Sequence, residues 1–438
     1  MVTVMKKISS NEVDEKSKNA IKVSASHRSL SFLSIFKLSV FDSLPKGVFA
    51  ISLFGLFLGA STTMIYSQLG LFLKNELHAT ELKIAFIDGM VEFIAYVTRI
   101  FSGMISDYFM NRKFILYIGC ITTLFMKPLF AIATSPLMVM VAQSIERVGN
   151  GLQATPRDAL IADLSTPATR GQSFGFSKSF KTIGGLLGTS IAIMIMWLSS
   201  NNYRLVFACA TIAVAISIFC LSKIKTKEEI RNTGHTEAKK KITNPFKKQY
   251  LKSFDIHFWK LIAFAVIFEL GHFTEALFPI YANNFVSTSV ASSVSMFISI
   301  GQILCSFPIG LYADKFGKER FLKVCIIMMI LANISFMSAS SIYQVYIGAF
   351  LWGGQMTANQ GLFLSVLTER VDSHLRGTAI GIYYCAVGAS YLTASVISGK
   401  IWTSYGSMYS FLYSIIFCAI SLALFKTLMP PKKASNGA

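Results

Sequence analysis

Eight ionisable side chains stand inside stretches that are otherwise apolar: Asp88, Glu92 and Arg99, then Glu146 and Arg147, then Glu269, His272 and Glu275. A charged group inside lipid costs at least about 2.5–3.5 kcal/mol by insertion scales, so each is a functional candidate. On a helix, at about 100° per residue, Asp88, Glu92 and Arg99 fall within about 40° of one another. Such a stripe either faces a central cavity or pairs internally and against a neighbouring helix. Glu269, His272 and Glu275, spaced three apart, would share about a third of a helical circumference, with Gly271 and Pro279 nearby to loosen it. A histidine changes charge near neutral pH and burial favours the protonated form of a carboxylic acid, so this trio could carry a proton. It could equally line a wet cavity or bind a solute. Glu146 and Arg147 are adjacent and point in different directions, so they do not neutralise each other directly. Arg147 then serves a substrate or a proton, or pairs with Glu92 or another buried carboxylate.

The elements that must position these groups follow from composition. The chain has 438 residues, 53% hydrophobic and 14% charged, with a mean hydropathy of +0.55, which points to lipid as the solvent. A bilayer core needs about 20 apolar helical residues, and only helices or closed barrels satisfy their backbone there. Alternating strands of about ten residues, the mark of a barrel, are absent. Apolar runs extend over 49–73, 84–105, 114–133, 137–155, 174–198 and 203–221, and again over 259–282, 294–313, 321–339, 343–367, 378–401 and 408–428. The reading is an all-α polytopic membrane protein of twelve helices in two six-helix bundles, 49–222 and 259–428.

The remaining segments are polar. Residues 1–48 form a tail without a secretory signal, with a short apolar stretch over 30–41 that suits the membrane surface. Residues 223–258 form a linker carrying Lys239, Lys240, Lys241, Lys247 and Lys248, and residues 429–438 form a second tail. Of the 41 lysines and arginines, 34 fall on the side of the N-terminus, five on the other side, and two, Arg99 and Arg147, within spans. Short loops rich in these residues stay in the cytoplasm, so both termini and the linker are expected there. The positions of these charges between apolar runs also exclude a nucleic-acid-binding domain, despite a net charge of +19. Seven cysteines lie in apolar stretches with no CxxC spacing, which argues against a metal site or a disulfide framework. Lys127, Lys178 and Lys181 are expected to snorkel from span ends, and Trp259, Trp352, Trp402 and most of the tyrosines to pack or to anchor at the interface.

An internal repeat runs through the two halves. After the second span stands Gly103-Met-Ile-Ser-Asp107, followed by Arg112-Lys113, and after the eighth stands Gly310-Leu-Tyr-Ala-Asp314-Lys315, followed by Arg320, at an offset of 207. After the fourth span Asp163 precedes Arg170-Gly171 by seven, and after the tenth Glu369 precedes Arg376-Gly377 by seven, at an offset of 206. Two loop signatures returning at nearly one offset mark tandem repeats.

With these motifs the chain resembles the major facilitator superfamily, whose loop signature reads G-x-x-x-D-R/K-x-G-R/K-R/K. The run Arg147-Val-Gly149-Asn-Gly151 is similar to the family's fourth-helix signature. In the fifth span, Gly184, Gly185 and Gly188 lack the proline of the family's antiporter motif and read as a close helix approach. The resemblance implies that Asp107 meets the N-terminus of the eleventh helix and Asp314 that of the fifth, where the helix dipole favours an anion. Arg112 with Asp163, and Arg320 with Glu369, would complete charge clusters that shut one face. The implied function is secondary active transport of a small solute by alternating access, coupled to protons, by a monomer in a bacterial inner membrane. A solute sensor or a drug or metabolite exporter of the same fold is the alternative. No phosphate-binding loop, nucleophile or metal-ligand spacing suggests an enzyme or a cofactor.

Overall fold

The computed structural model describes residues 45–109, 112–166, 169–224, 254–371 and 375–429. Every regular element among them is an α-helix. The first half comprises α1 (Lys46–Asn75), α2 (Glu81–Phe109), α3 (Arg112–Ala131), α4 (Pro136–Leu164), α5 (Arg170–Leu198) and α6 (Tyr203–Ser222). The second comprises α7 (Ile256–Glu269), the short α8 (Leu277–Ala282) and α9 (Thr288–Ala291), α10 (Ser293–Phe316), α11 (Lys318–Met337), α12 (Ile342–Arg370), α13 (Arg376–Tyr405) and α14 (Ser407–Leu428).

Local chemistry sets many of these boundaries. Ser135 caps α4 by accepting from the Met138 backbone N–H, with Pro136 in the first turn, and Asn202 caps α6 by accepting from Leu205. Gly317 and Gly406, at φ +100° and +98°, let α10 turn into α11 and α13 into α14 through a single residue.

Among the described residues, eight segments, in α1, α3, α5, α6, α9 with α10, α11, α13 and α14, are long and apolar enough to cross a bilayer. Of the other four expected spans, those in α2 and α4 carry the buried charges and α12 carries the buried Gln355. The seventh is broken. Large apolar side chains face outward, among them Phe125, Trp197, Ile212 and Tyr343, all more than half exposed, as expected for a surface solvated by lipid.

The two halves pack in the same way. In the first, α4 lies against α2 and α3, and α3 against α6. In the second, α12 lies against α10 and α11, and α11 against α14. The halves meet along α2 with α13 and α5 with α10. Small residues set the separations. A Cβ on Gly184 or Gly188 would stand 2.0 or 2.2 Å from the backbone oxygen of Leu56 or Ala60 in α1, and one on Gly353 in α12 would stand 1.9 Å from that of Ile298 in α10. The glycines of the fifth span therefore permit a close helix approach.

At the end that holds the α1–α2 turn the halves touch. Gln68 Nε2 donates to Ser292 Oγ at 2.7 Å, the Leu82 N–H donates to Thr403 Oγ1 at 3.0 Å, and a Cβ on Gly399 would meet the Ala85 Cβ at 2.5 Å. At the opposite end, a Cβ on Gly175, Gly361 or Gly377 would meet nothing within 4 Å.

Candidate substrate site between the halves

The site begins at the break in the seventh span. Helix α7 stops at Glu269, the backbone of 272–274 is irregular, and α8 starts only at Leu277. Glu269, His272 and Glu275 therefore do not share a helical face, contrary to the expectation from their spacing. Gly271 and the turns around it end the hydrogen-bonded ladder: the Gly271 N–H bonds to Phe268 and the His272 N–H to Glu269, each three residues back. Residues 271–274 are buried in protein, the condition under which irregular backbone is tolerated at membrane depth.

At the break, side chains of the seventh span reach across to α2. Thr274 Oγ1 donates to Asp88 Oδ2 at 2.7 Å, the Tyr391 hydroxyl donates to the same oxygen at 3.3 Å, and the Tyr66 hydroxyl lies 2.9 Å from Asp88 Oδ1. Residues from α1, α13 and the seventh span thus converge on one carboxylate of α2. Tyr66 also stands 3.1 Å from Glu92 Oε1, and its single proton serves one carboxylate at a time. Arg147 Nη2 pairs with Glu92 Oε1 at 2.8 Å while its guanidinium covers the Tyr66 ring at 4.3 Å.

The second half supplies weaker partners. Trp352 Nε1 donates to Glu275 Oε1 at 3.3 Å. Gln355 Nε2 and His272 Nε2 are 3.1 Å apart. With the amide nitrogen as donor, the neutral imidazole carries its proton on Nδ1, which faces Glu269 Oε2 at 3.5 Å. Beyond that contact, Glu269 has no hydrogen bond among the described residues, although it is only 8% exposed.

These groups surround a cavity of about 250 Å³. Seven of the eight ionisable residues singled out from the sequence line it: Asp88, Glu92, Arg99, Arg147, Glu269, His272 and Glu275. The α2 stripe faces the cavity, while Tyr96 packs against Gly388 and Tyr384 of α13. Glu146 is the exception. It is buried beside Lys127, whose Nζ lies 2.7 Å from Glu146 Oε1 and 3.4 Å from the Ser61 backbone oxygen. Lys127 is fully buried, so it does not snorkel as expected; a carboxylate inside the bundle gives its ammonium a partner that outweighs the reach to water. Lys178 and Lys181 are exposed.

Sequence reasoning passed over the aromatic lining. Tyr66, Tyr96, Phe273, Trp352 and Tyr391, with Met356, complete the cavity wall. Trp352 is neither an interfacial anchor nor mere packing. With 37 Phe and 16 Tyr in the chain, no spacing singled these out, and only the charged partners could have pointed to them.

At the end opposite the α1–α2 turn, Arg112 pairs with Asp163 and also donates to the Ala159 backbone oxygen at 3.2 Å. In the second half Glu369 pairs with Lys318, whereas the sequence suggested Arg320, which is exposed. The repeat offset falls from 207 at Asp107 and Asp314 to 206 at Asp163 and Glu369, so the second copy is one residue shorter between them and Lys318, not Arg320, is the counterpart of Arg112. Arg370 pairs with Glu319 at 2.6 Å, and Arg376 Nε donates to the Thr368 backbone oxygen at 3.1 Å. Gly103, Asp107, Arg170, Gly310, Asp314 and Lys315 are helical, and their side chains lie outside the described part of the structure.

Comparison with known proteins agrees with this architecture. An uncharacterized MFS-type transporter of Methanocaldococcus jannaschii is 25% identical over 388 residues, covering 86% of this chain and 94% of its own. The multidrug resistance protein 1 of Bacillus subtilis is 22% identical over 358 residues, covering 80% and 88%. Among solved structures, a mutant of the nucleoside transporter NupG superposes with a TM-score of 0.74 at 12% identity, covering 88% of this chain and 100% of the other. A D-xylose-proton symporter gives 0.67 at 14%, covering 88% and 98%. The family model described as Major Facilitator Superfamily matches residues 51–285 and 273–438, and the chain belongs to that superfamily of membrane transporters.

Proposed function

We propose that this membrane transporter is a secondary active carrier that moves a small solute by alternating access and couples the movement to protons through Glu269, His272 and Glu275. The observation that supports the reading is a cavity at the seam of the two halves, lined by ionisable side chains from both. A rocking motion that separates α2 from α13 at one end and closes the other would carry the cavity contents across. With the N-terminus in the cytoplasm, the packed end is external and the cavity belongs to an inward-facing state.

Protons enter the scheme because Glu269 and Glu275 have few partners. Burying an ionised carboxylate while both ends are shut is costly unless it is paired. Either a proton or a solute can relieve that cost, and competition between them couples their movements. The loop charges, Asp107 and Asp314 with Arg112, Asp163, Arg170, Lys315, Arg320, Glu369 and Arg376, form the gate at the cytosolic face in this proposal.

The test uses proteoliposomes and a labelled solute found by a thermal-shift screen of the purified protein. Glu269→Gln and Glu275→Gln fix a neutral group of similar shape and are expected to abolish proton-driven accumulation while counterflow exchange persists. His272→Ala is expected to shift the pH optimum instead. Full proton-driven uptake in all three variants would move coupling elsewhere, first to the stripe of Asp88, Glu92 and Arg99.

A further inference from the structure

The charges around the cavity are not equally compensated. Asp88 has three hydroxyl groups within reach, and Glu92 has Arg147 and Tyr66. That same pair neutralises Arg147. Arg99 has no carboxylate partner among the described residues, but it is exposed and stacks on Tyr96 at 5.3 Å, so water solvates its charge. Two acids are left. Among the described residues, Glu269, 8% exposed, has only the 3.5 Å contact to His272, and Glu275 has only the indole N–H of Trp352. Neither partner carries a fixed positive charge. The wall beside these acids is aromatic: Trp352 packs against Phe273 at 5.3 Å between centroids and against His272 at 5.6 Å.

From this arrangement we infer that the solute is an organic cation with a flat aromatic or apolar body, its positive group directed to Glu269 and Glu275 and its body set against the half-buried Tyr391 and Met356. The inference rests on the reading of this cavity as the substrate site. A buried carboxylate without a counter-ion attracts a cation more than any group on the cavity's wall attracts an anion, because the two arginines are already satisfied by a carboxylate and by water. Ring faces add a favourable interaction with a cation and shape complementarity for a flat body. At about 250 Å³ the space suits a compact bicyclic or biaryl molecule.

The experiment uses three rigid biaryls of matched shape and fixed charge: 1-methyl-4-phenylpyridinium as cation, 4-(pyridinium-1-yl)benzoate as zwitterion and biphenyl-4-carboxylate as anion. Their affinities are measured by calorimetry on the purified full chain in lipid nanodiscs. The cation is expected to bind at least about tenfold more tightly than the other two. The Glu269→Gln/Glu275→Gln double variant is expected to remove that preference, and Tyr391→Leu to weaken the cation while sparing the order of the three. Equal or tighter binding of the zwitterion or the anion to the unaltered protein overturns the inference, as does binding of none of the three. Because the selectivity series is read on the unaltered protein, a variant that fails to fold does not blunt it. Selective cation binding without proton-driven accumulation would retain this inference and discard proton coupling. Proton-driven uptake of the zwitterion with no binding of the cation would do the reverse.

Discussion

Lys127 and Glu146 form an ion pair with side chains 0% and 7% exposed, remote from water and away from the cavity wall. Two charges at such depth exist only because each holds the other, so removing one strands its partner at a cost of about 3–5 kcal/mol. We expect Lys127→Met and Glu146→Leu each to lower the thermal midpoint of the purified protein sharply. The double variant Lys127→Met/Glu146→Leu should recover most of the loss, and a double-mutant cycle measures the coupling. If the singles are as stable as the unaltered protein, the pair is not a structural element. The repeat offset takes Lys127 to Asn333 and Glu146 to Trp352, so the second half has no such pair. Instead Asn333 donates to Ser414 Oγ at 3.0 Å and Trp352 turns to the cavity. The two halves share a backbone plan and differ in the polar groups placed on it.

At the scale of helices, the fit of α5 on α1 and of α12 on α10 depends on glycine. A methyl group on Gly184 or Gly353 would overlap a backbone oxygen at about 2 Å, and the opposing backbone cannot rotate away as a side chain can. Alanine favours an exposed helix interior by about 1 kcal/mol over glycine, so propensity alone predicts stabilisation. At these two positions we expect the reverse: Gly184→Ala and Gly353→Ala should destabilise by about 1–3 kcal/mol. Gly175→Ala, where the added methyl meets nothing within 4 Å, should be neutral or stabilising. Melting curves of the three variants, measured together, decide between packing and propensity. Of the elements, the paired loop signatures were legible in the sequence, because a repeat shows itself by offset. The break in the seventh span was legible only as a hint from Gly271 and Pro279. Its extent depends on the tertiary partners that the side chains there find, Asp88 for Thr274 and Gln355 for His272.

For the whole molecule, the alternating access proposed here requires the α2–α13 seam near the α1–α2 turn to open. A Cβ on Gly89 would lie 3.0 Å from the Ser395 Cβ, close to the separation of about 3.5–4.5 Å that a disulfide spans. In a cysteine-free background, Gly89→Cys/Ser395→Cys is expected to stop transport on oxidation and to regain it on reduction. Unimpaired transport with the bond formed would mean that this seam does not open. The sequence by itself determined the class of solvent, the number and approximate limits of the apolar spans and the tandem repeat, because lipid imposes length and polarity on each segment separately. It also marked all seven ionisable residues that line the cavity, since a charge among apolar residues stands out wherever the chain takes it. Only the tertiary structure decided which charges neutralise one another, that Lys127 turns inward to Glu146, that Lys318 takes Glu369, and that Trp352 and three tyrosines wall the site. Those outcomes depend on distances between residues far apart in the chain, and hydropathy and periodicity carry no information about them.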